Sequence, residues 1–335
     1  MSDQTPPPNA TTIDPYKHLR IIPGPNGNTL TRLPEISNFF PRSPHPVPIL
    51  TKDITINQSN NTWARLFLPH KTLDSSNQSK LPLVVWFHGG GFILFSAATT
   101  FSHDYCANTA IELNAIVVSI EYRLAPEHRL PAAYDDAVEA LLWIKTSPDE
   151  WLTQFADFSK SFLMGGSAGA NIVYHAALTV AERVDDLEPI KIRGLILHQP
   201  FFGGSKRTGS ELRLVNDRIL PLCCSDLMWE LSLPIGADRD HEYCNPTAEE
   251  GSSKAAVAKI RELGWKVLVD CGDKDPLMDR QVEFIKMLQE KGVQVASHIV
   301  EGGYHGVEFL DPSKCKALYA AYKCFISSIS VFPSL

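Results

Sequence analysis

The sequence predicts an α/β fold, with a mainly parallel sheet carrying helices on both faces. Three observations support this. Apolar runs such as Leu83-Val84-Val85-Trp86-Phe87 are continuous rather than alternating, as in strands buried on both faces. These runs alternate along the chain with stretches of helical spacing. Two of them end in glycine-rich turns, His88-Gly89-Gly90-Gly91 and Gly165-Gly166-Ser167-Ala168-Gly169.

Taken in order, residues 1–12 are polar and proline-rich and are expected to form an unstructured tail. Residues 13–45 read as irregular, with aromatics at Tyr16, Phe39 and Phe40. The alternating stretches Ile54-Thr55-Ile56 and Trp63 to Leu68 predict an antiparallel pair at a sheet edge. Residues 71–80 read as a surface loop. Strands are predicted at 83–87, 115–120, 161–164, 192–197, 265–269 and 293–296. Helices are predicted from Ala132 to Lys145, Ala170 to Glu182, Asp279 to Glu290 and about Lys314 to Ser328. The rhythm breaks between about Gln199 and Cys244. That span is too long for a simple connection and reads as an inserted, mostly helical cap. The expected organisation is therefore a core of residues 46–198 and 246–335, a cap insertion at 199–245, and a segment 1–45 that packs on the rest.

Composition narrows the function. The chain has 335 residues, 44% apolar and 21% charged, as a globular protein does. A net charge of −7 gives no general attraction to nucleic acid or an anionic membrane. No run approaches the length of a membrane span. The start, Met1-Ser2-Asp3-Gln4, has neither the basic nor the apolar region of a secretory signal. Seven scattered cysteines without a Cys-x-x-Cys argue against a disulfide framework or zinc site. A reducing, cytoplasmic setting is expected. There the sequons at Asn9, Asn57, Asn60 and Asn77 are chance matches.

The two glycine turns suggest acyl transfer. A serine hydroxyl is a poor nucleophile and needs a base beside it. A sharp strand-to-helix turn projects Ser167 so that base and ester can both reach it. Gly165 and Gly169 are expected where strand and helix cross closely. A G-x-S-x-G arises by chance in about one chain in ten of this length, so the flanking strand and helix carry the signal. The glycines at 89–91 would present backbone N–H groups to a tetrahedral oxyanion, together with the N–H of Ala168. His88 reads as a structural hydrogen-bonder. The base belongs on a loop after the last strand, where His305 stands, while His298 lies within the strand pattern. The acid should lie between serine and histidine, among Asp270, Asp273, Asp275 and Asp279. Asp270 ends a strand and reads as structural, and Asp279 is placed to cap the next helix. Asp273 and Asp275 both remain open on order alone.

The motifs His88-Gly89-Gly90-Gly91-Phe92, Tyr122-Arg123-Leu124-Ala125-Pro126-Glu127-His128, Gly165 to Asn171 and Asp275-Pro276-Leu277-x-Asp279 resemble the plant carboxylesterases, in the hormone-sensitive-lipase-like branch of the α/β-hydrolases. The resemblance covers about residues 50–330. It implies an eight-stranded α/β-hydrolase fold, with the N-terminal segment and the insertion forming a cap. It assigns the acid to Asp275, 30 residues before His305. It puts the oxyanion donors at Gly90, Gly91 and Ala168, with Gly89 serving the turn. Asp135, Asp136, Arg123 and Glu127 become buried structural groups. The implied reaction is hydrolysis of a small-molecule ester with no metal or organic cofactor; the oligomeric state is not read from the sequence, and a monomer is compatible with it. Two other activities occur in similar proteins. Gibberellin-like receptors lack the catalytic histidine, which His305 argues against. Some dehydratases carry threonine for the serine, so Ser167 favours the esterase.

Overall fold

A computed structural model describes residues 13–33, 48–74, 79–248 and 254–329. The expected tail at 1–12, and Phe39 and Phe40, lie outside these residues. The strands are β1 (Ile21–Pro23), β2 (Leu30–Arg32), β3 (Ile49–Asn57), β4 (Thr62–Pro69), β5 (Leu81–Phe87), β6 (Ile116–Glu121), β7 (Ala156–Gly166), β8 (Ile192–His198), β9 (Lys266–Gly272) and β10 (Val295–Val300). The helices are α1 (Pro15–Leu19), α2 (Lys71–Asp74), α3 (Thr100–Leu113), α4 (Ala132–Thr146), α5 (Glu150–Phe155), α6 (Ala168–Ala181), α7 (Gly209–Arg213), α8 (Leu222–Ser232), α9 (Lys254–Glu262), α10 (Met278–Glu290), α11 (Val307–Leu310) and α12 (Pro312–Ile329).

Eight strands form one sheet in the order β10-β9-β8-β7-β5-β6-β4-β3, and β1 and β2 form a separate hairpin. From β6 to β10 all pairings are parallel, while β4 pairs antiparallel with β6 and with β3. The continuous apolar reading of β5 has a direct structural counterpart. Leu83, Val85 and Phe87 enter the core on one face, and Val84 and Trp86 enter the core on the other. Side chains alternate across a strand, so a strand covered on both faces needs apolar residues at every position. Helix α6 is buried along almost its whole length. It packs on β7 and β8 and is covered in turn by α4 and α9, which explains why it is apolar all round.

Several elements differ from the sequence expectation. Segment 13–33 is ordered as α1 followed by the β1–β2 hairpin. Arg32 anchors that hairpin: its guanidinium lies 2.7 Å from Glu127 Oε2 and donates to the carbonyls of Ala125 (2.8 Å) and Ile93 (2.6 Å). Helix α3 has no counterpart in the sequence reading, because polar Ser102 and Thr109 share its buried face with Phe101, Tyr105 and Ala110. The expected loop at 71–80 opens with the helical turn α2. The last strand begins at Val295 rather than Val293. The span 199–245 holds two helices, α7 and α8, joined by loops in which Pro200, Pro221, Pro234 and Gly236 interrupt helix propagation. Of the polar groups expected to be buried, Asp136 is, and it forms a bidentate pair with Arg123. Asp135 is exposed instead, because it faces outward from the first turn of α4.

Candidate active site

Ser167 sits between β7 and α6 with φ +53° and ψ −118°. A non-glycine residue pays a conformational cost for such a backbone, and the surroundings hold it there. The Ser167 N–H donates to the His198 carbonyl at the end of β8 (2.9 Å), and its own carbonyl accepts from Ala170 and Phe201. The turn is possible because strand and helix touch through backbone. A Cβ on Gly165 would lie 2.3 Å from the Gly169 carbonyl, and one on Gly169 would lie 2.0 Å from the Phe87 carbonyl oxygen. Helix α6 therefore begins at Ala168, two residues earlier than its composition suggests.

His305 follows β10 and reaches the serine from the far side. Its Nε2 is 3.0 Å from Ser167 Oγ, and its Nδ1 is 2.9 Å from Asp275 Oδ2. Burial by itself would lower the His305 pKa, but the charge and hydrogen bond of Asp275 outweigh it and leave it raised. Asp275 is fully buried. Its Oδ1 accepts from the Leu277 N–H (2.8 Å) and its Oδ2 from Gln281 Nε2 (3.3 Å). These bonds hold the carboxylate with one oxygen toward the imidazole.

The other aspartates stand apart. Asp273 is exposed. Asp270 is buried between two histidines, with Oδ1 2.5 Å from His298 Nδ1 and Oδ2 2.7 Å from His198 Nδ1. Asp279 does not cap its own helix, as the sequence suggested. Its carboxylate accepts from the Ser210 N–H (2.7 Å) at the start of α7, and Leu277 occupies the cap position of α10. The chain turns into α10 before Asp279, so Asp279 already lies in the first helical turn.

The glycine loop lies directly over this turn. A Cβ on Gly89 would approach Gly166 O to 3.1 Å and Ser167 Cβ to 3.2 Å. Gly90 and Gly91 have φ +106° and +59°, a region that glycine occupies without strain. Among the described residues, the backbone N–H groups of Gly90, Gly91 and Ala168 have no acceptor. His88 is buried and stacked on Tyr122 at 4.2 Å, with Nδ1 2.8 Å from the Gly89 carbonyl. Burial lowers its pKa to about 4, so it is neutral and suited to holding the loop.

Gly89, Gly90, Gly91, Ser167 and His305 line one cavity of about 400 Å³. Ala168 is buried behind Ser167 and does not line it. The remaining wall is largely apolar, with Leu94, Phe95 and Phe101 on one side. Residues distant in sequence complete it: Leu19 and Arg20 at the end of α1, Ile219 and Leu220 just before α8, and Met228 within it. Helix α1 packs against α8. Sequence reasoning also missed a buried charge cluster in the cavity wall. His198 Nε2 lies 2.7 Å from Glu308 Oε1 and, as above, His198 Nδ1 lies 2.7 Å from Asp270. These pairs are close but poorly aligned as hydrogen bonds, so charge attraction holds them. Burial opposes the charged imidazole, yet Glu308 and Asp270 together raise its pKa to about 10. Among the described residues no group of His, Cys, Asp and Glu is arranged to hold a metal ion, and no helix is long and apolar enough to cross a membrane.

A family described as alpha/beta hydrolase fold matches residues 84–309. The chain is similar to Carboxylesterase 20 of Arabidopsis thaliana, with 52% identity over 94% of this chain and 97% of that one. It is also similar to 3-O-acetylpapaveroxine carboxylesterase CXE2 of Papaver somniferum, with 48% identity over 93% of this chain and 99% of that one. Among solved structures it resembles an esterase of Pyrobaculum calidifontis, with a TM-score of 0.68 and 27% identity over 84% of this chain and 86% of that one.

Proposed function

Because the chain belongs to the plant carboxylesterases of the α/β-hydrolase fold and is itself a serine carboxylesterase, we propose that Ser167, His305 and Asp275 carry its acyl transfer. The observation that supports the assignment is the placement of one imidazole within hydrogen-bond reach of both the Ser167 hydroxyl and the Asp275 carboxylate. Ser167 Oγ attacks the ester carbonyl while His305 Nε2 takes its proton. The tetrahedral intermediate places its oxyanion against the N–H groups of Gly90, Gly91 and Ala168, with Gly89 shaping the loop. Each such donor is worth roughly 3–4 kcal/mol. His305 returns the proton to the departing alcohol, leaving an acyl-Ser167. Water, activated by the same imidazole, then releases the acid. Asp275 stays ionised, fixes the tautomer and stabilises the imidazolium.

On this reading the described N-terminal residues 13–33 and the insertion 199–245 form the cap, supported by the cavity residues both contribute. The substrate is a small-molecule ester. A short acyl group is supported by the acetyl ester in the name of the poppy relative. All proposed groups come from one chain, so a monomer suffices. Seven free cysteines support a cytoplasmic setting.

A fluorophosphonate probe tests the nucleophile. We expect a single adduct mapped to Ser167, and no adduct and no turnover of p-nitrophenyl acetate in Ser167→Ala. Turnover retained by that variant would overturn the assignment.

A further inference from the structure

Gln199 follows β8 and is 1% exposed, with φ +44°. Neither glycine nor asparagine, it holds a left-handed backbone that its side chain disfavours. Its own N–H donates to the Asp270 carbonyl (2.8 Å). Its side-chain amide spans the loop that carries His305. Nε2 donates to the Tyr304 carbonyl (3.2 Å), and Oε1 accepts from the Gly306 N–H (2.6 Å). The two peptide groups that border His305 are thus bound by one planar amide. Only one orientation of that amide matches a donor to the carbonyl and an acceptor to the N–H.

The loop needs such a hold. Gly302 and Gly306 have φ +66° and +70°, and Gly303 lies between them. A segment this rich in glycine has little intrinsic preference for one path. Yet His305 has to keep Nε2 near Ser167 and Nδ1 near Asp275 together, and a small rotation of the loop breaks one contact. The preceding residue adds a further point of attachment. His198 lies 2.7 Å from Glu308, three residues beyond His305. Two consecutive residues at the end of β8 therefore fasten the segment 304–308.

We propose that Gln199 is a positioning residue, whose side-chain amide fixes both peptide groups flanking His305 and so aims the imidazole at Ser167 and Asp275. The proposal rests on the triad assignment above. The triad itself fails if Ser167→Ala keeps its activity. The positioning role fails only on the variants that follow.

Gln199→Met keeps the bulk and removes both bonds. We expect kcat on p-nitrophenyl acetate to fall about 10–100-fold, the effect of misplacing a group by about 1 Å, with KM within about twofold. We expect the acid limb of the pH profile to move lower, because a loosened His305 loses part of the Asp275 contact that raises its pKa. The downfield proton resonance of the His305–Asp275 hydrogen bond should shift or broaden. Gln199→Glu keeps the acceptor for Gly306 and should give an intermediate kcat. A folded Gln199→Met protein with wild-type kcat and pH profile overturns the proposal, as does a change confined to KM. If the methionine variant does not fold, Gln199→Glu decides: wild-type kcat from about pH 6 to 9 overturns the role.

Discussion

Asp275 Oδ2 lies 2.9 Å from His305 Nδ1, and this contact reverses the effect of burial on the imidazole. A buried histidine without a partner titrates low, because burial disfavours its charged form. Here the net shift is upward, so the protonated form persists above the ordinary value near 6.5. The proposed mechanism needs His305 as a neutral base. The acid limb of kcat/KM for a neutral ester is therefore expected above about pH 6.5. Asp275→Asn removes the raising partner and leaves burial in place. The limb should move down and kcat should fall by roughly 10⁴-fold, as steady-state pH profiles of the two proteins would show.

The crossing of β7, α6 and the end of β5 leaves no room for a methyl group at Gly169. Its Cβ would lie 2.0 Å from the Phe87 carbonyl oxygen, a backbone atom that cannot swing aside. Gly169→Ala should destabilise the protein by about 1–3 kcal/mol or more and lower kcat, since His88 and Gly89 follow Phe87 directly. Urea denaturation with activity measured in parallel would check both effects. Wild-type values for stability and rate would mean that the turn adapts without moving the site.

The His198 cluster predicts an alkaline loss of stability. A histidine raised to about 10 in the folded state, against about 6.5 unfolded, contributes stability that is fully present below pH 6.5. That contribution is lost as pH rises toward 10. Asp270 moves the other way: burial raises its pKa, but His198 outweighs that and leaves it lowered. Its contribution is present above about pH 4 and lost in acid. Between pH 6.5 and 10 the His198 contribution should decline by a few kcal/mol at most. In His198→Gln that decline should vanish, with a general cost of about 3–5 kcal/mol for leaving Glu308 without His198 and Asp270 with His298 alone. Denaturation curves at several pH values would show whether the two proteins converge in alkali.

Arg32 ties the β1–β2 hairpin to Glu127 and to two carbonyls of the body. Both charged groups are about a quarter exposed, so the pair itself is worth little more than about 1 kcal/mol. The larger effect is expected on the cavity, which Leu19, Arg20, Arg32 and Leu33 help to line. Arg32→Met should raise KM several-fold while kcat changes little. A fall in kcat at unchanged KM would show instead that the hairpin acts on the chemical step.

The sheet, and the residues of the proposed triad, were legible in the sequence for related reasons. Strands buried on both faces need apolar runs; Leu83 to Phe87 of β5 is unbroken, and shorter apolar runs mark β6 to β9. A serine on a tight turn needs glycines at fixed offsets, which Gly165 and Gly169 supply. The acid was not settled by order alone. Asp273 and Asp275 sit in the same loop, and the family resemblance chose between them. Helix α3 was missed because Ser102 and Thr109 break its apolar face. Asp279 misled because a carboxylate near a helix start usually caps that helix, whereas here it accepts from the Ser210 N–H in the first turn of the neighbouring α7, whose own cap is Thr208. Gln199 left no signal at all. Its partners are the backbone groups of Tyr304 and Gly306, more than a hundred residues away, and a backbone partner imposes no residue type.

Ser167 and His305 are 138 positions apart, and the base arrives only after β10, the last strand of the sheet. A chain is synthesised from its N-terminus, so a growing chain holds the hydroxyl and the donor loop long before it holds the imidazole. A serine without its base does not attack esters. With the proposed triad, the nascent hydrolase is therefore expected to be inert towards esters until the far edge of the sheet has docked. On that proposal, ester turnover by this protein reports, in one colour change, that its last strand is in place.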